Sequence, residues 1–264
     1  MILIAQISDI HLRLDGQLVE GRVDTAACLA SCVERINSLP ARPQLAIASG
    51  DLAETGNVGE YLHLKGLLAR LAMPYVVMPG NHDLREGMRT VFGGTAALPA
   101  AAAGHLQYLV ELPTLNLICL DTLDEGKESG WMCSDRLNWL HDTLNSHKTP
   151  CLIILHHPPF DCGIPGMDRI KLANARALAD VLSEHYHVIG LSCGHVHRTA
   201  FTRWANLPAC ICPSPAHQIH LDSRPDAPLA WTLEPGGFLL HQWDGKNLVT
   251  HAVFGPVPEP TVYK

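Results

Sequence analysis

Charge is scarce in this chain: 17% of its 264 residues are Asp, Glu, Lys or Arg, against 47% hydrophobic. Basic charge is scarcer still. Lys and Arg number 19 against 26 Asp and Glu, a formal net charge of -7, which argues against a protein that grips nucleic acid through a basic surface. An anionic substrate stays open, because bound cations would dominate the local field. No uninterrupted apolar run is long enough to span a bilayer, so no membrane association is expected. The opening MILIAQISDIHLR lacks the basic lead of a signal peptide and runs straight into Asp9 and His11. The nine cysteines include no C-x-x-C pair, which removes support for zinc-finger and thioredoxin readings. Their odd count and their scatter through apolar segments (Cys28, Cys119, Cys151, Cys193) suit reduced, buried thiols in a cytoplasmic protein. Internal repeats and low-complexity linkers are absent too.

Histidine, by contrast, is plentiful at 16 residues, and its placement is informative. Short apolar runs alternate with segments of helical period. Strands are expected at 2–7, 45–48, 75–78, 115–120, 151–155 and 188–193, with helices over 22–38, 59–71 and 172–185. A further helix carries Leu137, Leu140 and Leu144, with Ser134 as its expected cap. Residues 87–107 are rich in Gly and Ala with weak periodicity and are placed on the periphery. Beyond residue 200 the pattern shifts to short strands broken by Pro and Gly, such as FLLHQW and LVTHAVF. The alternation implies an α/β fold whose parallel strands deliver their site at the carboxyl ends.

The polar residues sit at those ends. Five motifs follow five strands: D-I-H at Asp9–His11, G-D at Gly50–Asp51, G-N-H-D at Gly80–Asp83, H-H-P-P at His156–Pro159 and G-H-V-H at Gly194–His197. Singly, each has an ordinary explanation. GNHD reads well as a turn, HHPP as a strand terminator, and an Asp-x-His as a helix cap. Jointly they put imidazole, carboxylate and amide oxygen at one edge five times over. That donor mixture suits zinc, iron or manganese better than calcium.

In this order the motifs resemble the calcineurin-like metallophosphoesterase superfamily, over residues 2 to about 200. GDLAETGNVGEY, HHPP, Met167-Asp168 and the tail segment SPAHQIH are similar to its bacterial class III cyclic-nucleotide phosphodiesterases and glycerophosphodiesterases. The resemblance implies a four-layer α/β/β/α sandwich. Its catalytic core would be residues 1–200, and 201–264 would be antiparallel strands completing the second sheet and serving as a cap or oligomerisation arm. It implies two transition-metal ions, divalent or mixed-valence, drawn from Fe, Mn, Zn and Co. Asp9, His11, Asp51 and His197 would hold one, and Asn81, His156 and His195 the other, with Asp51 bridging. GHVH would then give one histidine to each ion, since residues i and i+2 of an extended chain point the same way.

Two cations about 3.5–4 Å apart lower the pKa of a shared water and neutralise phosphate oxygens together. The expected reaction is hydrolysis of a small phosphodiester, a glycerophosphodiester or 3',5'-cyclic nucleotide, by a metal-bridging hydroxide. His82, beside Asn81, is the expected general acid, and Asp83 the residue that orients it. Asn81, His82 and His217 are the expected substrate contacts. His157 is read as supporting the metal ligands or packed, and Cys193 as core. A homo-oligomer is implied by the family. The alternatives are a phosphomonoesterase or nucleotidase on the same scaffold and, further off, a non-catalytic interaction scaffold. Specificity is placed in loops 54–60 and 160–171 and in the tail.

Overall fold

A computed structural model of the chain describes residues 1–99, 104–255 and 261–262. In chain order the first half runs β1 (Ile2–Ile7), α1 (Thr25–Asn37), β2 (Leu45–Ser49), α2 (Val58–Leu68), β3 (Tyr75–Met78), α3 (Arg85–Phe92), β4 (Tyr108–Leu112) and β5 (Leu115–Leu120). The second half runs α4 (Ser134–Ser146), β6 (Cys151–Leu155), α5 (Pro165–Asp168), α6 (Ala175–Leu182) and β7 (Val188–Cys193). It ends with β8 (Ala200–Trp204), β9 (Leu207–Ile211), β10 (Gln218–Ile219), β11 (Trp231–Thr232), β12 (Gly237–Trp243) and β13 (Leu248–Phe254).

Two sheets form the centre, in the order β13-β12-β1-β2-β3 and β4-β5-β6-β7-β9-β8. The side-chain alternation of β5 shows why they stack. Leu115, Leu117 and Cys119 join the core shared with the first sheet, while Ile118 and Leu120 join the core under α4 and α6. Leu152 and Ile154 of β6 likewise oppose Cys151, Ile153 and Leu155. A strand buried on both faces can afford no polar alternation, and its apolar run is continuous. Leu29, Val33 and Ile36 of α1 and Tyr61, Leu64 and Leu68 of α2 cover the other face of the first sheet. The result is the four-layer α/β/β/α sandwich.

Several element boundaries moved for identifiable reasons. Helix α1 starts where the Asp24 side chain accepts from Ala27 N at 2.9 Å, three residues later than expected. Ser134 is the first residue of α4 and not its cap; Cys133 holds the cap position without a side-chain bond. The expected helix 172–185 contracts to α6 because Asn174 bonds both backbone groups of Met132. The supposedly peripheral 87–107 hides α3, whose Met88, Val91 and Phe92 are buried; residues 100–103 lie outside the described ones. Strand β4, unanticipated, pairs antiparallel with β5. The C-terminal strands divide between both sheets: β8 and β9 extend the second, while β12 pairs antiparallel with β1 in the first. Phe238 packs into the core beside α1, and the partly exposed Trp231 lies near His217.

Strands β1, β2 and β3 are parallel, as are β5, β6 and β7. Each set therefore ends at one edge, and the two edges meet.

Candidate metal centre

At that edge the backbone is forced into uncommon conformations. Among the described residues, eight non-glycine positions have positive φ, and five of them are Asp9, His11, Asp51, His195 and His197. Left-handed backbone costs free energy for such residues and persists where surroundings over-determine it. Gly50 is a second device: its φ is +98°, and a Cβ there would collide with the His156 ring and the Gly80 amide.

The first cluster joins Asp9, His11, Asp51 and His197, all buried. His11 Nε2 and His197 Nε2 face each other at 3.0 Å, with Asp51 Oδ2 3.5 Å from the former and Asp9 Oδ1 3.6 Å from the latter. Beyond it stand His156 and His195, with ring centroids 5.3 Å apart. His156 Nε2 lies 3.3 Å from Asp51 Oδ2, so Asp51 reaches both groups.

The outer hydrogen bonds decide which nitrogen faces inward. His156 Nδ1–H donates to Ser49 O at 3.0 Å, His197 Nδ1–H to His217 O at 3.1 Å, and His11 Nδ1–H to Glu54 Oε2 at 2.8 Å. Each leaves Nε2 as the inward lone pair, the arrangement that orients metal-ligating imidazoles. Asp9 Oδ1 accepts from His195 N at 2.8 Å, and Asp51 Oδ1 from His82 N at 2.9 Å.

What remains unpaired supplies the fit test for metal. Asp9 Oδ2, Asn81 Oδ1, His156 Nε2 and His195 Nε2 are buried without a hydrogen-bond partner. Buried polar atoms are otherwise nearly always paired. Four orphans of ligand type in one place are what a cation pair would satisfy, so the residues fit the ions. Protonation agrees. Burial and the neighbouring His156 push His195 down to about 3, and burial with His11 and His217 holds His197 well below the ordinary imidazole range. Both imidazoles are therefore neutral at pH 7. Burial alone would raise Asp51, yet His156, His82 and His11 hold it well below the carboxylate range. Burial raises Asp9 to about 6, and for His156 the pull of Asp51 outweighs burial and lifts it to about 9. A His156 that ligates a cation must be neutral, so metal binding would compete with protonation there.

Of the other residues singled out by sequence, His82 is 39% exposed at the cleft, with its ring edge-on to His11 at 4.6 Å. Its Nδ1–H donates to Glu54 O at 2.9 Å, and Glu54 Oε2 lies 4.0 Å away. The pairing expected between Asp83 and His82 is absent. Asp83 instead accepts from the amides of Leu52, Ala53 and Gly80 and from the Tyr61 hydroxyl, at 2.9–3.1 Å. Four donors saturate that carboxylate, and it ties the turn after β2 to the turn after β3. Glu54 is the carboxylate that sequence reasoning missed at this place; the only available signal was its position in the GDLAETG loop.

His157 uses both nitrogens, accepting from the Thr122 hydroxyl at 2.8 Å and donating to Glu128 O at 3.2 Å. It supports and does not project. His217 lies 4.6 Å from the His197 ring with a buried, unpaired Nδ1. Asp121, which ends β5, is claimed by Arg85 through two bonds of 2.7 and 2.8 Å. Cys193 is buried in the core.

His11, Asp51, Asn81, His82, His195, His197 and His217 open into a cleft of about 310 Å³, walled by Glu20, Glu54, Glu128, Met167, Leu229 and Trp231 among others. Among the described residues no lysine or arginine lines it. A larger groove of about 480 Å³ beside α1 has neither imidazole nor carboxylate in its lining.

Comparison with known proteins agrees with the geometry. A protein of Arcobacter nitrofigilis named probable glycerophosphodiester phosphodiesterase is 35% identical over 97% of this chain and 96% of its own length. A probable cyclic nucleotide phosphodiesterase of Rhodopseudomonas palustris is 32% identical over 93% of this chain and 89% of its own. Among solved structures, a dimetal phosphatase from Danio rerio superposes with a TM-score of 0.71 at 16% identity, covering 96% of each chain, a likeness of fold. The family model described as calcineurin-like phosphoesterase matches residues 2–199, the span that carries all five strand-end motifs. By that match and by its relatives, the chain belongs to the calcineurin-like phosphoesterase family.

Proposed function

We propose that this protein hydrolyses small phosphodiesters, glycerophosphodiesters or 3',5'-cyclic nucleotides, with two transition-metal ions bound at the strand ends. Asp9, His11, Asp51 and His197 would hold one ion and Asn81, His156 and His195 the second, with Asp51 shared. The observation that carries this reading is the convergence of these side chains around four orphaned ligand-type atoms, of which those of Asn81 and His195 belong to residues lining the cleft. When bound, the ions supply an activated water and neutralise phosphate oxygens.

The chain's own residues do the rest. With no lysine or arginine among the described residues that line the cleft, His217 and Asn81 are neutral groups placed to contact phosphate oxygens. His82, anchored through Nδ1 to Glu54 O, gives a proton from Nε2 to the leaving alkoxide oxygen. The acidic wall of Glu20, Glu54 and Glu128 also favours diesters. A diester carries one negative charge where a monoester carries nearly two, so the repulsion is smaller. The nine free thiols fit a reducing compartment, the cytoplasm. Among the described residues no helix is long and apolar enough to cross a membrane. A homo-oligomer is part of the same reading, and light scattering tests it.

The decisive experiment compares bis(p-nitrophenyl) phosphate with p-nitrophenyl phosphate in the presence of Mn²⁺, Zn²⁺, Fe²⁺ or Co²⁺. Diester kcat/KM exceeding that for the monoester by about tenfold, a difference of 1.4 kcal/mol in barrier, supports the proposal. The reverse order makes the protein a monoesterase or nucleotidase. Turnover of neither, with no metal bound, makes it a scaffold. His82→Ala is expected to lower turnover of diesters with poor leaving groups by about 10²–10⁴-fold, with metal content by mass spectrometry unchanged.

A further inference from the structure

A second group of metal-ligating side chains lies at the opposite end of the six-stranded sheet. Strands β6 and β7 carry His156 and His195 beyond their carboxyl ends, whereas their amino ends begin at Cys151 and Val188. Just before β7, the turn 184–187 (EHYH) comes against α4. His141 of α4 sets its Nε2 3.5 Å from Glu184 Oε2. One ligand atom each from His141, Glu184 and His185 lies within 4.8 Å of the other two. The His185 ring stands 5.6 Å from that of His141 and 5.6 Å from that of His187.

We propose that His141, Glu184 and His185 form a third metal site, a zinc site that clamps α4 to the turn between α6 and β7. Ligands held about 2.0–2.1 Å from a tetrahedral zinc stand about 3.4 Å from one another. The 3.5 Å between His141 and Glu184 meets that spacing as it stands. Two imidazoles and a carboxylate are borderline donors that suit zinc over magnesium or calcium.

An ordinary surface ion pair accounts for His141 and Glu184 but not for His185. That ring is 4% exposed, and its Nε2 has no hydrogen-bond partner. A buried imidazole nitrogen without a partner is costly, and an ion between the three side chains removes the cost. Asn145 does not substitute: its Nδ2 lies 3.2 Å from both nitrogens of His141, so it points at the ring edge between them. Three protein ligands leave the fourth position to water, while Asp142 Oδ1, 3.5 Å from His141 Nδ1, lies on the outer ring nitrogen and would orient the imidazole. The clamp joins two elements that sequence separates by about 40 residues, and it stands on the far edge from the catalytic cleft.

The test is a metal count on the purified full-length protein, equilibrated with micromolar zinc chloride and measured by mass spectrometry. Wild type is expected to retain one equivalent more than His141→Ala and than Glu184→Gln, whatever number the catalytic cluster holds. Both variants alter exposed side chains, and both are expected to keep wild-type diester turnover. Zinc added to metal-free wild type raises its Tm by more than it raises that of either variant. Equal counts in wild type and variants, or an equal zinc-dependent rise in Tm, overturn the site.

Discussion

Two buried polar groups lie within a few residues of each other, one on β1 and one just past its end, and they are built on opposite terms. Between the sheets, Gln6 donates to Ser49 Oγ at 2.9 Å and accepts from Ser192 Oγ at 2.6 Å and from His241 Nε2–H at 2.9 Å. His241 Nδ1 in turn accepts from the Thr250 hydroxyl at 2.9 Å. Every member has a partner, and the members come from five strands. Three residues further, just past the end of β1, Asp9 enters a group in which four ligand-type atoms have none. A closed network rigidifies the core and asks for nothing more. An open one, held in place by outer hydrogen bonds and strained backbone, keeps ligand-type atoms that a bound cation would pair.

The sharpest way to break this comparison is Asp51→Asn, which removes the carboxylate that reaches both ligand groups. Metal stabilisation of the transition state is worth several kcal/mol, so diester turnover is expected to fall by about 10³-fold or more. Retained turnover and retained metal would mean that the open group is not the centre. Glu54→Gln is milder. It weakens the bond that fixes the His11 ring, and metal affinity is expected to drop about 10–100-fold, read by competition with a chelator.

The smallest effect belongs to the closed network. Burial depresses the His241 pKa to about 4, against an ordinary value of 6.5. The unfolded chain therefore binds the extra proton first. Stability is full above pH 6.5 and is lost as pH falls from 6.5 towards 4. Urea unfolding at pH 6.5 and 5.5 is expected to differ by up to about 1.4 kcal/mol from this residue, and His241→Gln should remove that part. An unchanged slope in the variant would show that the protons are taken up elsewhere.

Sequence alone carried the alternation of strands and helices, because each buried strand needs a continuous apolar run and each helix an apolar stripe. It also carried the motifs after β1, β2, β3, β6 and β7, since parallel strands must end at a common edge. It lost β4, whose half-exposed residues lack a strong period, and α3, concealed in a Gly- and Ala-rich stretch. It mistook the partner of His82, because Asp83 is adjacent in the chain while Glu54 arrives from another turn.

The residue types at the site were thus determined by the sequence; their working orientation was not. Which nitrogen of His156 faces inward depends on the Ser49 carbonyl, 107 residues away. Whether His157 is a ligand or a support depends on Thr122 and Glu128. A side chain's chemistry is a local property, but the hydrogen bond that aims it comes from whichever distant backbone the sheet pairing brings alongside, and only the folded chain makes that choice.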